Sequence, residues 1–256
     1  PVRFFVASNV GSFLGLLTYP FLIEHLLPAS QQARLWSGLF AVYAALFAAC
    51  GLLAASRAPT DASDPALEPG SKSGEPFWQW VGFSTLGSAF MLATANATMQ
   101  WSAVVPFLWV LPLAVYLLTF VLAFAYPQRY DRVVYGLAFL VLACATPFLT
   151  PLPETAIGLL VRIAHHNTTL LVGCMICHSE LVLRQPSPAR LPRFYLAMAS
   201  GGALGGLCIV LLAPVVFNGY LEHPLTLGLI GAYAAAGLWR DTEWRRAAWF
   251  KVAAGV

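Results

Sequence analysis

Residues 156–181 read AIGLLVRIAHHNTTLLVGCMICHSEL. As one helix this run is long enough to cross the hydrocarbon core of a bilayer, which takes about 20 residues. Yet it carries Arg162, His165, His166, Asn167, His178 and Glu180 among its apolar residues. Arg162, His166, Thr169, Gly173, Cys177 and Glu180 follow one another at steps of three or four and therefore share one helical face. A charge at mid-bilayer costs about 2.5–3.5 kcal/mol on insertion scales, so such a face turns away from lipid. The stretch predicts a membrane helix whose polar stripe looks into a bundle. The stripe either satisfies contacts between helices or lines a solute path; the spacing serves both.

The rest of the chain supplies the bundle. Further apolar runs lie near 4–23, 34–55, 77–98, 103–126, 133–151, 194–217 and 224–240. Of 256 residues, 59% are hydrophobic and 10% charged, against about 25% charged in an ordinary soluble domain. The fold class expected is all-α: a polytopic transmembrane helix bundle of about eight helices, with the lipid bilayer as its first partner.

One segment breaks the apolar pattern. SRAPTDASDPALEPGSKSGEP (56–76) is rich in Pro, Gly and acidic residues and reads as a solvated linker. It divides the chain into residues 1–55, the last two helices of a first helical half, and 77–240, a six-helix second half. Residues 241–256 form an interfacial segment leading toward a C-terminal part outside the sequence. The start on Pro1 and the stop at KVAAGV, inside an apolar stretch, read as the ends of a fragment.

An internal repeat supports the division. RFFVASNVGSFLG (3–15) recurs as RFYLAMASGGALG (193–205), pairing Arg3 with Arg193, Phe4 with Phe194, Ala7 with Ala197, Gly11 with Gly201 and Gly15 with Gly205. Pro20 has a counterpart in Pro214, and Glu24-His25 in Glu222-His223. Six helices separate the copies, as in a major-facilitator-like 6+6 bundle built from two halves of like orientation. Small residues every four positions let helix backbones approach closely, so both repeat helices are expected to be tightly packed central ones. The Glu-His pairs lie at matching helix ends, where they either cap the helix or bind a cation at the mouth of the bundle.

Alternating the loops across the membrane gathers Arg3, Arg57, Lys72, Arg129, Arg132, Arg184, Arg190, Arg193, Arg240, Arg245, Arg246 and Lys251 on one side, against Arg34 on the other. The crowded side is cytoplasmic by the positive-inside bias, which places the chain in a bacterial cytoplasmic membrane with basic loops inward. Trp239, Trp244 and Trp249 among basic residues read as an interfacial belt, not as a nucleic-acid surface.

Orientation also decides the C-x-x-C-H match of Cys174, Cys177 and His178, which by pattern is a covalent haem site. It falls at the cytoplasmic end of a membrane helix, the wrong side for c-type haem attachment. As a zinc site it lacks a fourth ligand. His165 and His166 point about 100° apart and do not converge on one metal. No catalytic, cofactor-binding or metal residue is assigned. The five cysteines read as small buried hydrophobes.

The residues carry a resemblance. ASNVGSFLGLLTYPFLIE, VVPFLWVLPLAVYLLTFVLAF, CHSELVLRQPSPARLPRFYLAMASGGALGGL and APVVFNGYLEHPL resemble the membrane region of spermidine-synthase-like fused bacterial proteins. Those join a major-facilitator-like helical region to a C-terminal aminopropyltransferase-like domain. The matched positions include Asn9, Glu24, Pro106, Trp109, Pro112, His178, Tyr195, Gly201, Gly205 and Glu222, with Cys177, His178, Glu180 and Leu181 forming its C-H-x-E-L. Gln100 stands where members of the family often carry an Asp. GGALGG (201–206) follows no strand and is no nucleotide loop. The resemblance implies a non-catalytic membrane module that anchors a transferase domain and supplies or senses its solute, a small cation such as a polyamine. The alternative is a stand-alone secondary transporter of a small organic cation or metabolite.

Overall fold

The computed structural model describes residues 2–56, 76–100, 107–149, 152 and 155–240. Pro106, nearly all of the 56–76 linker and the 241–256 segment lie outside the described residues. The chain is an all-α bundle: α1 (Arg3–Leu26), α2 (Ala29–Ser56), α3 (Phe77–Met99), α4 (Phe107–Ala125), α5 (Arg132–Leu149), α6 (Ala156–Leu183), α7 (Pro188–Val216) and α8 (Glu222–Arg240). Among the described residues there is no strand.

Six helices, α1, α2, α4, α5, α6 and α7, are long and apolar enough to cross a membrane. The two that fall short, α3 and α8, are more polar for a structural reason. α3 is the hub of the bundle: it packs on α4, α6, α7 and α8, and buries Ser84, Ser88, Thr94 and Thr98 against them. α8 buries Glu222, His223 and Thr226 at its start. These polar side chains are buried against neighbouring helices.

Two compact units divide the chain: residues 1–14 with 76–256, and residues 15–75. The first residues of α1 belong with the later helices, because Phe5 stacks on Tyr195 (centroids 5.3 Å apart) and packs on Phe120 and Phe124. In the other unit α2 exposes Trp36, Phe40, Tyr43 and Phe47 along its length.

Within the larger unit the helices alternate in direction. Trp80, at the start of α3, donates to the Arg184 carbonyl just after α6 ends and meets Phe194 near the start of α7. Asn96, near the end of α3, meets Glu222 at the start of α8. Arg129, Arg132, Arg184, Arg190, Arg193 and Arg240 thus gather at one end and Arg162 lies toward the other.

The repeat helices pack differently. In α7, a Cβ on Gly201 would stand 2.5 Å from the Val81 carbonyl, and one on Gly205 2.5 Å from that of Thr85. Only glycine lets α7 and α3 come so close, and Ser84 and Ser88 use the approach to donate to the Met198 and Gly202 carbonyls at 2.6 and 3.0 Å. In α1 the tight packing expected is not seen: among the described residues a Cβ on Gly11 or Gly15 would meet nothing within 4 Å, and Ala7 is exposed. Small residues permit close approach but do not supply a partner. Both helices nevertheless share a break: each runs on into a five-residue π-helical turn, Tyr19–Ile23 and Cys208–Leu212. Pro20 lies inside the first turn and Pro214 just after the second, where a missing N–H loosens the backbone ladder.

Candidate functional site

The stripe on α6 does face the interior. Arg162, His166, Thr169, Cys177 and Glu180 are all buried, Glu180 completely. They do not, however, line one continuous path. At the middle of the stripe, Gly173 makes room for two rings: a Cβ there would stand 2.6 Å from Phe90 and 2.8 Å from Phe139. Those phenyl groups, both fully buried and edge to face at 6.0 Å, plug the stripe and leave a polar cluster on either side.

The first cluster lies at the Glu180 end. Arg132 grips the Glu180 carboxylate with two parallel bonds, Nε to Oε1 at 2.8 Å and Nη2 to Oε2 at 2.9 Å. Arg184, one turn further along, pairs with Oε2 and sends its Nε to Gln79 at 2.8 Å. Tyr130 donates to Oε1 at 3.2 Å. Burial and the adjacent carboxylate push the Tyr130 phenol up, so it stays a donor. Burial works against the Arg184 charge, but the bond and charge of Glu180 outweigh it and raise its pKa. A fully buried carboxylate is tolerable only with partners of this quality.

The second cluster lies at the other end, around Glu222. Its carboxylate is 6% exposed and accepts from Asn96 Nδ2 at 3.3 Å. Among the described residues it has no cationic partner. It borders a cavity of about 560 Å³ between α3, α7 and α8, walled by Leu86, Ile209, Leu212, Leu225 and Leu229, which the π turn of α7 helps to open. His223 faces a second cavity of about 490 Å³ together with His166, Gln100, Cys144 and Tyr220. The His166 and His223 rings are 5.1 Å apart, and His223 stacks on Phe90 of the plug. His165 turns instead to Thr146, at 3.1 Å. Arg162 closes this end by bonding the Leu149 carbonyl at 3.2 Å and that of Leu152.

The remaining sequence-predicted positions scatter. Cys174 points at the Gly87 carbonyl. His178 is fully buried on another face of α6, its Nδ1 3.0 Å from the Thr119 hydroxyl and its ring stacked on Phe120. Cys174, Cys177 and His178 are fully packed in the core and line neither cavity. Among the described residues no three His, Cys, Asp or Glu side chains converge on a metal position. Asn9 bonds back to the Phe5 carbonyl at 2.9 Å, Pro112 is buried within α4, and Trp109 and Glu24 are exposed. Tyr195 packs on Phe5, while Gly201 and Gly205 seat α3.

Reasoning from sequence missed Asn96, Arg132 and the aromatic plug. Arg184 was legible as the i+4 partner of Glu180. Gln100, noted only as a departure, lines the histidine cavity. No protein-family model matches the chain, and neither curated proteins nor solved structures gave a match.

Proposed function

We propose that the chain is a non-catalytic, transporter-like membrane module that binds a small organic cation at its Glu222 end. One observation carries this: a buried carboxylate, held by an amide and without a cationic partner among the described residues, borders an apolar cavity. An unpaired buried charge is costly, and a bound ammonium group relieves that cost while the apolar walls receive its alkylene chain. A polyamine has this chemistry. Polar clusters on either side of a closed aromatic plug are what a bundle with access from alternate faces requires. The shared π turns and the stacking of the repeat-equivalent Phe5 and Tyr195 support a 6+6 major-facilitator-like arrangement. The gathered arginines support a cytoplasmic Glu180 end in a bacterial inner membrane. On the resemblance to spermidine-synthase-like fused proteins, the module anchors a transferase domain and feeds or senses its solute.

Cys208 gives a direct test, because it lines the same cavity as Glu222 whereas Cys50 does not. Spermidine should bind the purified chain and slow maleimide labelling of Cys208 with no effect on Cys50. Glu222→Gln should abolish both effects. Unchanged labelling with spermidine and other alkylammonium ions would remove the cation reading.

A further inference from the structure

At the opposite end from Glu222, Arg132, Arg184, Arg240, Tyr233, Ala236 and Gly237 enclose a cavity of about 540 Å³. We infer that this cavity binds a phosphate-bearing anion. Three arginines line it from the start of α5, the end of α6 and the end of α8, and among the described residues no acidic side chain does. Glu180 stands behind two of them and fixes their forks without filling the cavity. Arg132 spends Nε and Nη2 on that carboxylate, and Arg184 spends Nη1 on it and Nε on Gln79. Nη1 of Arg132 makes no bond to Glu180 and is left to serve an incoming oxygen, while Arg184, which also bonds Tyr233 in the cavity wall, adds its charge. Arg240 makes no ion pair among the described residues.

Charge and shape point to the same ligand. Three arginines against one carboxylate leave an excess of about two positive charges, which a phosphate monoester at about −1.5 to −2 complements. Arginine forks match tetrahedral phosphate oxygens with parallel N–H bonds. Small side chains at Ala236 and Gly237 keep the floor open, and a Cβ at Gly237 would press on Arg132 Cδ at 3.3 Å. Other arginines at this end lie over rings away from the cavity, Arg129 on Tyr126 and Arg193 on Phe77; Arg184 lies over Phe83 and lines the cavity as well.

The phosphate belongs either to a soluble phosphoester or to an anionic lipid headgroup, and two arms separate the sources. In the first, the full chain in neutral detergent is titrated with inorganic phosphate against chloride of equal ionic strength, with thermal stability as the readout. In the second, it is placed in phosphatidylcholine nanodiscs with or without phosphatidic acid, and retained lipid is measured by native mass spectrometry. Arg240→Gln is the diagnostic variant because it leaves the Arg132–Glu180–Arg184 clamp intact, and Arg240→Lys is its conservative partner. At least one arm should show binding, weakened about tenfold or more in Arg240→Gln and partly restored in Arg240→Lys. Phosphate stabilisation in detergent identifies a soluble ligand; selective retention of phosphatidic acid without it identifies the headgroup. Binding in neither arm, or binding indifferent to Arg240→Gln, overturns the assignment.

Discussion

Changing Gly205 to Ala tests the central contact of the bundle with a single methyl group. That methyl would stand 2.5 Å from the Thr85 carbonyl oxygen and 2.9 Å from the Ala89 nitrogen, both backbone atoms that no rotamer can move. Restoring an ordinary contact of 3.4 Å requires α3 and α7 to part by about 0.9 Å along that line. Overpacking of this kind costs about 1–3 kcal/mol. The same separation stretches the hydrogen bonds from Ser84 and Ser88 to the α7 backbone, each worth about 0.5–1.5 kcal/mol. Alanine returns up to about 1 kcal/mol of helix propensity, so the net loss is about 2–4 kcal/mol. At about 2–4 °C per kcal/mol for a chain of this size, the melting temperature in detergent should fall by about 5–15 °C. Gly11→Ala, at the repeat-equivalent position with nothing within 4 Å, is the control and should be neutral or slightly stabilising. A wild-type melting temperature for Gly205→Ala would refute the packing argument. Equal losses in the two variants would refute the claim that the repeat helices differ in environment.

Three further outcomes follow from the same geometry. Glu180→Gln removes the charge that Arg132 and Arg184 share; because both arginines are partly solvated, the loss should be about 1–3 kcal/mol, read as earlier unfolding in a thermal scan, and an unshifted transition would contradict a structural clamp. Thr119→Val leaves the His178 Nδ1 without its hydroxyl partner in a fully buried site, which should cost about 1–3 kcal/mol, whereas Thr119→Ser should behave as wild type. In a background lacking the exposed Cys50 and Cys144, a cysteine replacing His166 should label from water through the histidine cavity, and one replacing the fully packed Thr169 should not; equal labelling at both sites would mean that the stripe is open along its length.

What the chain reveals before folding depends on whether a feature is local to one helix. The face of α6 is read from residue spacing alone, because a helix fixes side-chain direction. Its burial follows from the cost of exposing Arg162 or Glu180 to lipid. Where that face leads is not local. Arg132 and Glu180 are far apart in sequence, and before the fold is known Arg132 is one basic residue among many at its end of the bundle. Phe90 and Phe139 sit in apolar helices like any other core aromatics. Only Gly173, too small for its surroundings, hints that something large fills the space beside it. Glu222 was visible as part of a repeated Glu-His pair, but its partner Asn96 lies on a helix read only as apolar.

The repeat itself has a test that sequence similarity does not provide. When two segments are related by a two-fold operation, residues near the axis meet their own equivalents. Phe5 and Tyr195 occupy equivalent positions in the two copies, and their rings stack at 5.3 Å. Low-complexity similarity between glycine-rich helices gives no reason for that contact, nor for a five-residue π turn at the corresponding place in each. In α7 the glycine face is filled by α3, which brings Ser84 and Ser88 onto the α7 backbone.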